Sequence, residues 1–126
     1  MQKINALQQL INVEKDSREF GFTWPNQDMV IDQIIDECRE VREDIQAKND
    51  PQKIQEEIGD VLHSAISLCI FSGFDVEETF LKTSKKFEAR MNALKILTKE
   101  INLPNLHGQS TSFMLDLWQK AKIMAK

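Results

Sequence analysis

Apolar residues recur three and four positions apart, not two, along most of the chain, which is the period of helices packed on one face. Ile4, Leu7, Leu10 and Ile11 mark a first helix over about residues 2–16, and Gly21 falls in the connection after it. Asn26, just past Trp24-Pro25, is placed to cap a second helix reaching about Lys48. Asp50 followed by Pro51 makes a cap and first-turn pair, so a third helix is expected from there to Ser72-Gly73. Asp75 caps a fourth, with Glu77 and Glu78 in the turn where the helix dipole favours negative charge, and it extends to about Ile101. Leu103-Pro104-Asn105 breaks it, and Ser110 or Thr111 opens a short last helix that ends in AKIMAK. The expectation is an all-α protein, with a four-helix-bundle-like core, an additional short C-terminal helix and an oligomeric assembly.

Two of these helices carry charges where a bundle wants none. With the second helix wound at about 100° per residue from Val30, Ile34, Val41 and Ile45 form one apolar stripe within about 60°. Glu37 lies inside that stripe and Glu40 on its border. On the third helix, Ile54, Ile58, Val61, Ala65, Leu68 and Cys69 form the stripe, and Glu57 and Asp60 flank it. Like charges one turn apart repel by a few tenths of a kcal/mol even in water, and an unpaired carboxylate taken from water costs several. An antiparallel hairpin of these helices brings both pairs together. Two compensations are open: a divalent cation held by hard oxygen ligands, or Arg39 and Arg42 turned inward. Asp60-x-x-His63 has the shape of a di-iron bundle element, but that scaffold needs two, and the other histidine, His107, sits in an expected loop.

Composition narrows the class. A chain of 126 residues with 41% hydrophobic and 29% charged residues is globular in kind, and one domain over 1–126 is expected, since no repeat or linker divides it. Four glycines, three prolines and no tyrosine argue against a turn-rich β-sandwich. The longest nearly apolar run, Val61 to Phe71, is too short to cross a bilayer of roughly 30 Å, and the N-terminus lacks the apolar core of a secretory signal. Cys38 and Cys69 form no C-x-x-C pair and sit in apolar helical patterns, so two buried free thiols and a cytoplasmic location are expected. The net charge of −4 conceals an asymmetry: eleven acids against four bases between Asp28 and Asp60, then six bases against one acid between Lys82 and Lys99. The first segment suits cations and the second anions. An acidic chain makes nucleic acid a poor partner, and no membrane partner is expected.

The ordered set Asp36-Glu37-Cys38-Arg39-Glu40, then sixteen residues, then Glu57-Ile58-Gly59-Asp60 resembles the E-E-x-x-E … E-x-x-D signature of MazG-like nucleotide pyrophosphohydrolases. FGFTWPNQDMVIDQIIDE before it and GFDVEETFLKTSKKFEARM after it are similar to the family's flanks, so the likeness spans roughly residues 20–122. The resemblance implies an all-α protein, assembled as a homodimer or homotetramer, that uses Mg²⁺ (or Mn²⁺) to cleave nucleoside triphosphates between the α and β phosphates. It implies Glu37, Glu40, Glu57 and Asp60 as metal ligands, Lys86 and Arg90 as phosphate contacts, and Trp118 with Lys122 as further substrate contacts. Phe22 and Trp24 either stack on a base or staple their loop to the second helix. Asp36 stands where the family has glutamate, Ser84 where asparagine is frequent and Ala89 where arginine is; the water-activating base is thereby open between Asp36, Glu56 and a metal ligand. A catalytically silent helical interaction module is the competing reading.

Overall fold

A computed structural model describes residues 5–126, and these form five helices: α1 (Ala6–Glu19), α2 (Gln27–Gln46), α3 (Pro51–Phe71), α4 (Val76–Glu100) and α5 (Thr111–Met124). The described residues contain no strand. Ile4 and the expected helix start near residue 2 lie outside the described residues.

Each helix begins where a short polar side chain satisfies a free backbone N–H. Asn5 Oδ1 accepts from Gln8 N at 2.7 Å, Asn26 Oδ1 from Met29 N at 2.9 Å, and Asp50 Oδ1 from Gln52 N at 3.0 Å. Asp75 does the same for Glu78 N at 2.9 Å, and Ser110 Oγ for Phe113 N at 3.1 Å. The stops are as local. Gly21 ends α1 at φ +105° and Gly73 ends α3 at φ +86°, a region where a side chain would be strained.

The chain divides into two compact units, the first up to Thr79 and the second from Phe80 to Lys126. In the first, α2 and α3 pack along their length as an antiparallel hairpin: Gln27 Nε2 donates to Ser72 Oγ at 2.9 Å at one end, and Lys53 Nζ lies 3.9 Å from Asp44 Oδ1 at the other. Helix α1 packs on α3, and Ile11, Ile66 and Val76 are buried among Leu7, Leu10, Cys69 and Ile70. Val30, 1% exposed, is the largest fully buried side chain among the described residues, and its burial favours the fold by about 2 kcal/mol. In the second unit Ala93, Leu94, Leu117 and Ala121 pack with Phe113 and Trp118 around them.

The apolar stripes expected on α2 and α3 are only partly covered in the first unit. Ile45 is 54% exposed and Ile58 43%, whereas Ser64 and Ser67 are buried. The buried sector of α3 is turned toward α1, where polar groups from α1 wait for partners. Cys38 is exposed, correcting the expectation of two buried thiols: eight residues after Val30, it lies about 80° round the helix from it. Cys69 is half-buried and free, its Sγ 3.3 Å from Thr79 Oγ1. Among the described residues no single helix is long and apolar enough to cross a membrane.

Candidate functional site

The hairpin brings the expected carboxylates of α2 and α3 to one place. Glu37, Glu40 and Glu57 each offer one oxygen, and the three lie within 4.8 Å of one another. Asp60, one turn beyond Glu57, is exposed and outside that trio, but its charge reaches both Glu40 and Glu57. Helix spacing makes this convergence, since i and i+3 share a face on each helix and the antiparallel turn sets the faces together.

The trio is electrostatically unfavourable as it stands. The charge of Glu37 raises the Glu40 carboxyl above the ordinary glutamate value, and Asp60 adds to it. Glu57 is raised by partial burial first, then by the charges of Glu40 and Asp44. Glu37 accepts from Gln33 Nε2 at 2.6 Å through Oε1, while its Oε2 is shut off from water and takes no hydrogen bond. Arg39, one of the two arginines that would have compensated, pairs instead with Asp36 at 3.1 Å, both side chains well exposed. Hard oxygen donors, mutual repulsion and a buried unpaired carboxylate oxygen form a set that fits a divalent cation of the Mg²⁺ type. Ligands about 2.1 Å from such an ion sit roughly 3–4 Å apart, so the trio needs to close by only about an ångström.

Beside the carboxylates opens a cleft of about 190 Å³ between α1, α2, α3 and the loop holding Phe22, Thr23 and Trp24. Glu37 and Asp60 belong to its wall, so the cleft and the acidic trio are continuous. Its opposite wall is a polar network that periodicity did not single out. Glu14, 9% exposed on α1, accepts through Oε1 from Ser67 Oγ at 2.6 Å and from Arg18 Nη2 at 3.1 Å. Its Oε2 lies 2.8 Å from His63 Nε2. Arg18 Nη2 also donates to Ser67 O at 2.9 Å. The lone helix histidine is thus held by Glu14. A signal for this wall was present: Glu57, Asp60, Ser64 and Ser67 follow at intervals of three, four and three, a polar strip along one side of α3.

Burial works to raise the Glu14 carboxyl, but the hydrogen bonds from Ser67 and His63, with the charges of His63 and Arg18, outweigh it and hold it below the ordinary value. A depressed carboxylate adds stability above the unfolded-chain value, and that stability is lost as pH falls through the folded value. The difference in melting temperature between wild type and Glu14→Gln is therefore expected to shrink as pH drops from about 6 to about 3. A difference that stays constant across that range would assign Glu14 no ionic contribution.

The remaining expected site residues are placed as follows. Trp24 is half-buried and lines the cleft with Phe22, which is 68% exposed. Asp36 and Glu56 are both exposed. Lys86 and Arg90 lie one turn apart on α4 in the second unit, Lys86 exposed and Arg90 half-buried. Trp118 on α5 packs against that unit's core, its ring centroid 5.9 Å from that of Phe87, and Lys122 one turn on is half-buried.

Comparison with known proteins gives the chain a family. Residues 26–94 match the family model for the MazG nucleotide pyrophosphohydrolase domain. The chain is 28% identical over 119 residues to a Thermotoga maritima protein named nucleoside triphosphate pyrophosphohydrolase/pyrophosphatase MazG, covering 94% of this chain and 45% of that one. It is 30% identical over 118 residues to the nucleoside triphosphate pyrophosphohydrolase of Escherichia coli K12, covering 93% and 44%. The chain therefore spans a little under half the length of these curated relatives.

Proposed function

Because the chain belongs to the MazG nucleotide pyrophosphohydrolase domain family, we propose that it hydrolyses nucleoside triphosphates, ribo- or deoxyribo-, to the monophosphate and pyrophosphate in a Mg²⁺-dependent reaction. The observation that carries this reading is the convergence of Glu37, Glu40 and Glu57 within 4.8 Å, with Asp60 adding its charge, at the mouth of a cleft.

In the proposed reaction a water oxygen bonds to the α phosphorus, and the bond from that phosphorus to the α–β bridging oxygen breaks. The bridging oxygen leaves with the pyrophosphate. When bound, Mg²⁺ (or Mn²⁺) supplies neutralisation of the triphosphate charge and polarisation of the reacting phosphoryl group. The chain's own residues do the rest. Glu37, Glu40, Glu57 and Asp60 hold the ion and are themselves relieved of mutual repulsion. A carboxylate beside the trio takes the proton from the water, for which Glu56 and Asp36 are both near in sequence. Trp24, on the cleft wall, offers an aromatic face to a base. Lys86 and Arg90, with Trp118 and Lys122, are proposed to contact substrate on the strength of the resemblance; Arg90 brings a planar fork that grips two phosphate oxygens.

Pyrophosphate release on adding Mg²⁺ with a panel of nucleoside and deoxynucleoside triphosphates is the direct test. Release is expected with Mg²⁺ and none after chelation. A panel without any release would leave the silent helical module as the better reading.

We further propose a homodimer or homotetramer, because Ile31, Ile35, Ile45, Ile58 and Leu62 stand exposed on α2 and α3. Light scattering is expected to give at least twice the chain mass, and an active monomer at micromolar concentration would refute it. A cytoplasmic location fits two cysteines that remain free thiols, and removal of noncanonical or surplus nucleotides fits the activity.

A further inference from the structure

His63 has no part in the chemistry described so far, yet the fold sets it beside the acidic site. It stands one turn beyond Asp60 on α3, and side chains three apart on a helix have Cβ atoms about 5–6 Å apart. Both residues line the cleft, with Glu37 of α2 in the same wall. An anionic group held at Asp60 through a metal ion is therefore within reach of the imidazole.

The ring is anchored at one nitrogen. His63 Nε2 lies 2.8 Å from Glu14 Oε2, and the Glu14 carboxyl, held below its ordinary value, is ionised and can only accept. Nε2 therefore carries a hydrogen. Glu14 is itself fixed, since Ser67 Oγ and Arg18 Nη2 hold its other oxygen at 2.6 and 3.1 Å. The second ring nitrogen, Nδ1, makes no hydrogen bond with the described residues, and the side chain is 46% exposed. With Nε2–H given to Glu14, a neutral ring offers only a lone pair at Nδ1, whereas the imidazolium offers an N–H there as well.

The charged groups that line the cleft are Glu14 and Arg18 from α1, Glu37 from α2, and Asp60 and His63 from α3; the loop residues Phe22, Thr23 and Trp24 add none. Arg18 is only 18% exposed, with Nη2 engaged by Glu14 and Ser67 and Nε shut off from water. Of the two groups in this lining that can be cationic, His63 is the one open to a ligand.

We propose that His63, anchored by Glu14, is a further catalytic residue: as an imidazolium it donates its Nδ1–H to a phosphate oxygen of the triphosphate. This inference rests on the hydrolase reading for where the triphosphate lies, with its phosphates toward Glu37 and Asp60. A charge-assisted hydrogen bond of this kind strengthens as negative charge gathers on the leaving pyrophosphate.

Two measurements test it. The chain has two histidines, so the imidazole NMR signals of His63 are assigned by their loss in His63→Gln, or by what remains in His107→Gln. The ligands are the α,β-imido triphosphates of adenosine, guanosine, cytidine and uridine, which are not cleaved at that bond. With Mg²⁺ and a ligand that binds, the pH midpoint of the His63 signals is expected to lie about one unit or more above that with Mg²⁺ alone, the effect of a new opposite charge at hydrogen-bond distance. A midpoint that rises with none of the four overturns the proposal, whether or not the variants fold.

The second measurement is turnover. Glutamine keeps an N–H for Glu14 in place of Nε2 but cannot become a cation. His63→Gln is expected to lower kcat/KM about tenfold or more near pH 6, and the ratio of wild type to variant should shrink as pH rises through the His63 midpoint. Equal turnover, or a ratio that stays constant with pH, overturns the proposal and leaves His63 as a structural partner of Glu14. A raised midpoint with no pyrophosphate released from the natural triphosphates would sink the hydrolase reading and leave the phosphate contact standing. Release of pyrophosphate with an unmoved midpoint would do the reverse.

Discussion

Replacing Glu57 with glutamine is expected to abolish pyrophosphate release while leaving the melting temperature of the metal-free protein unchanged or higher. Two physical effects point in opposite directions at this residue. For function, Glu57 is the one member of the trio supplied by α3, so its loss leaves Glu37 and Glu40, both from α2, with only the more exposed Asp60 across the hairpin. For stability, Glu57 sits where burial and the charges of Glu40 and Asp44 disfavour its ionised form, so a neutral amide of the same shape removes a repulsion. The sign follows: a carboxyl raised in the fold weakens folding above its folded value and costs nothing below the unfolded one. The stabilisation by the glutamine should therefore appear near neutral pH and vanish in acid. Added Mg²⁺ should raise the melting temperature of the wild type and have much less effect on the variant. Full turnover in Glu57→Gln would remove the trio from the chemistry. A large fall in its metal-free stability would recast Glu57 as a structural residue.

Arg18→Met should be the most damaging single change to the stability of the first unit. Arg18 is 18% exposed and Glu14 11% by side chain, so their pairing at 3.1 Å is largely withdrawn from water. The same guanidinium reaches Ser67 on α3 through both its carbonyl and its hydroxyl, and its central carbon lies 5.2 Å from the ring centre of Phe71. Methionine keeps much of the aliphatic bulk and removes every donor, which strands the Glu14 carboxylate with less to hold it. Breaking a buried pair from one side costs about 3–5 kcal/mol, and the residual exposure here brings the expected loss to roughly 2–4 kcal/mol. Denaturant unfolding measures it directly. Combining Arg18→Met with Glu14→Leu should recover part of that loss, because removing both charges leaves no unpaired ion. An unchanged midpoint in Arg18→Met would mean that the Arg18 contacts add nothing to the hold of α1 on α3.

Local chemistry set down most of the helices. Asn26, Asp50, Asp75 and Ser110 all cap the helices they were expected to cap, because a cap is decided by a side chain and a backbone N–H within three residues. The pairing of Glu37 and Glu40 with Glu57 was legible for a related reason. Two i, i+3 pairs on helices joined by a short turn have few ways to avoid each other.

The far wall of the cleft was another matter. Periodicity placed the core of α3 on Ile54, Ile58, Val61, Ala65, Leu68 and Cys69, yet Ser64, Ile66 and Ser67 are the buried residues of that helix. A hydrophobic pattern finds the face that leaves water most cheaply; it does not register a serine that is buried to satisfy a carboxylate and a guanidinium. Those partners, Glu14 and Arg18, lie about fifty positions away in sequence, and each taken alone reads as one more charge on a solvated helix. Sequence determined the helices, their limits to within about three residues at the described ends, and the acidic trio, since those depend on spacings of a few residues. Only the docking of α1 on α3 decided that Glu14 is buried, that His63 is held by it rather than by the acidic trio, and that Glu14, Arg18, His63 and Ser67 form the cleft wall facing the carboxylates. That is a tertiary fact, because the free energy of a buried polar group depends on which partner the fold brings to it.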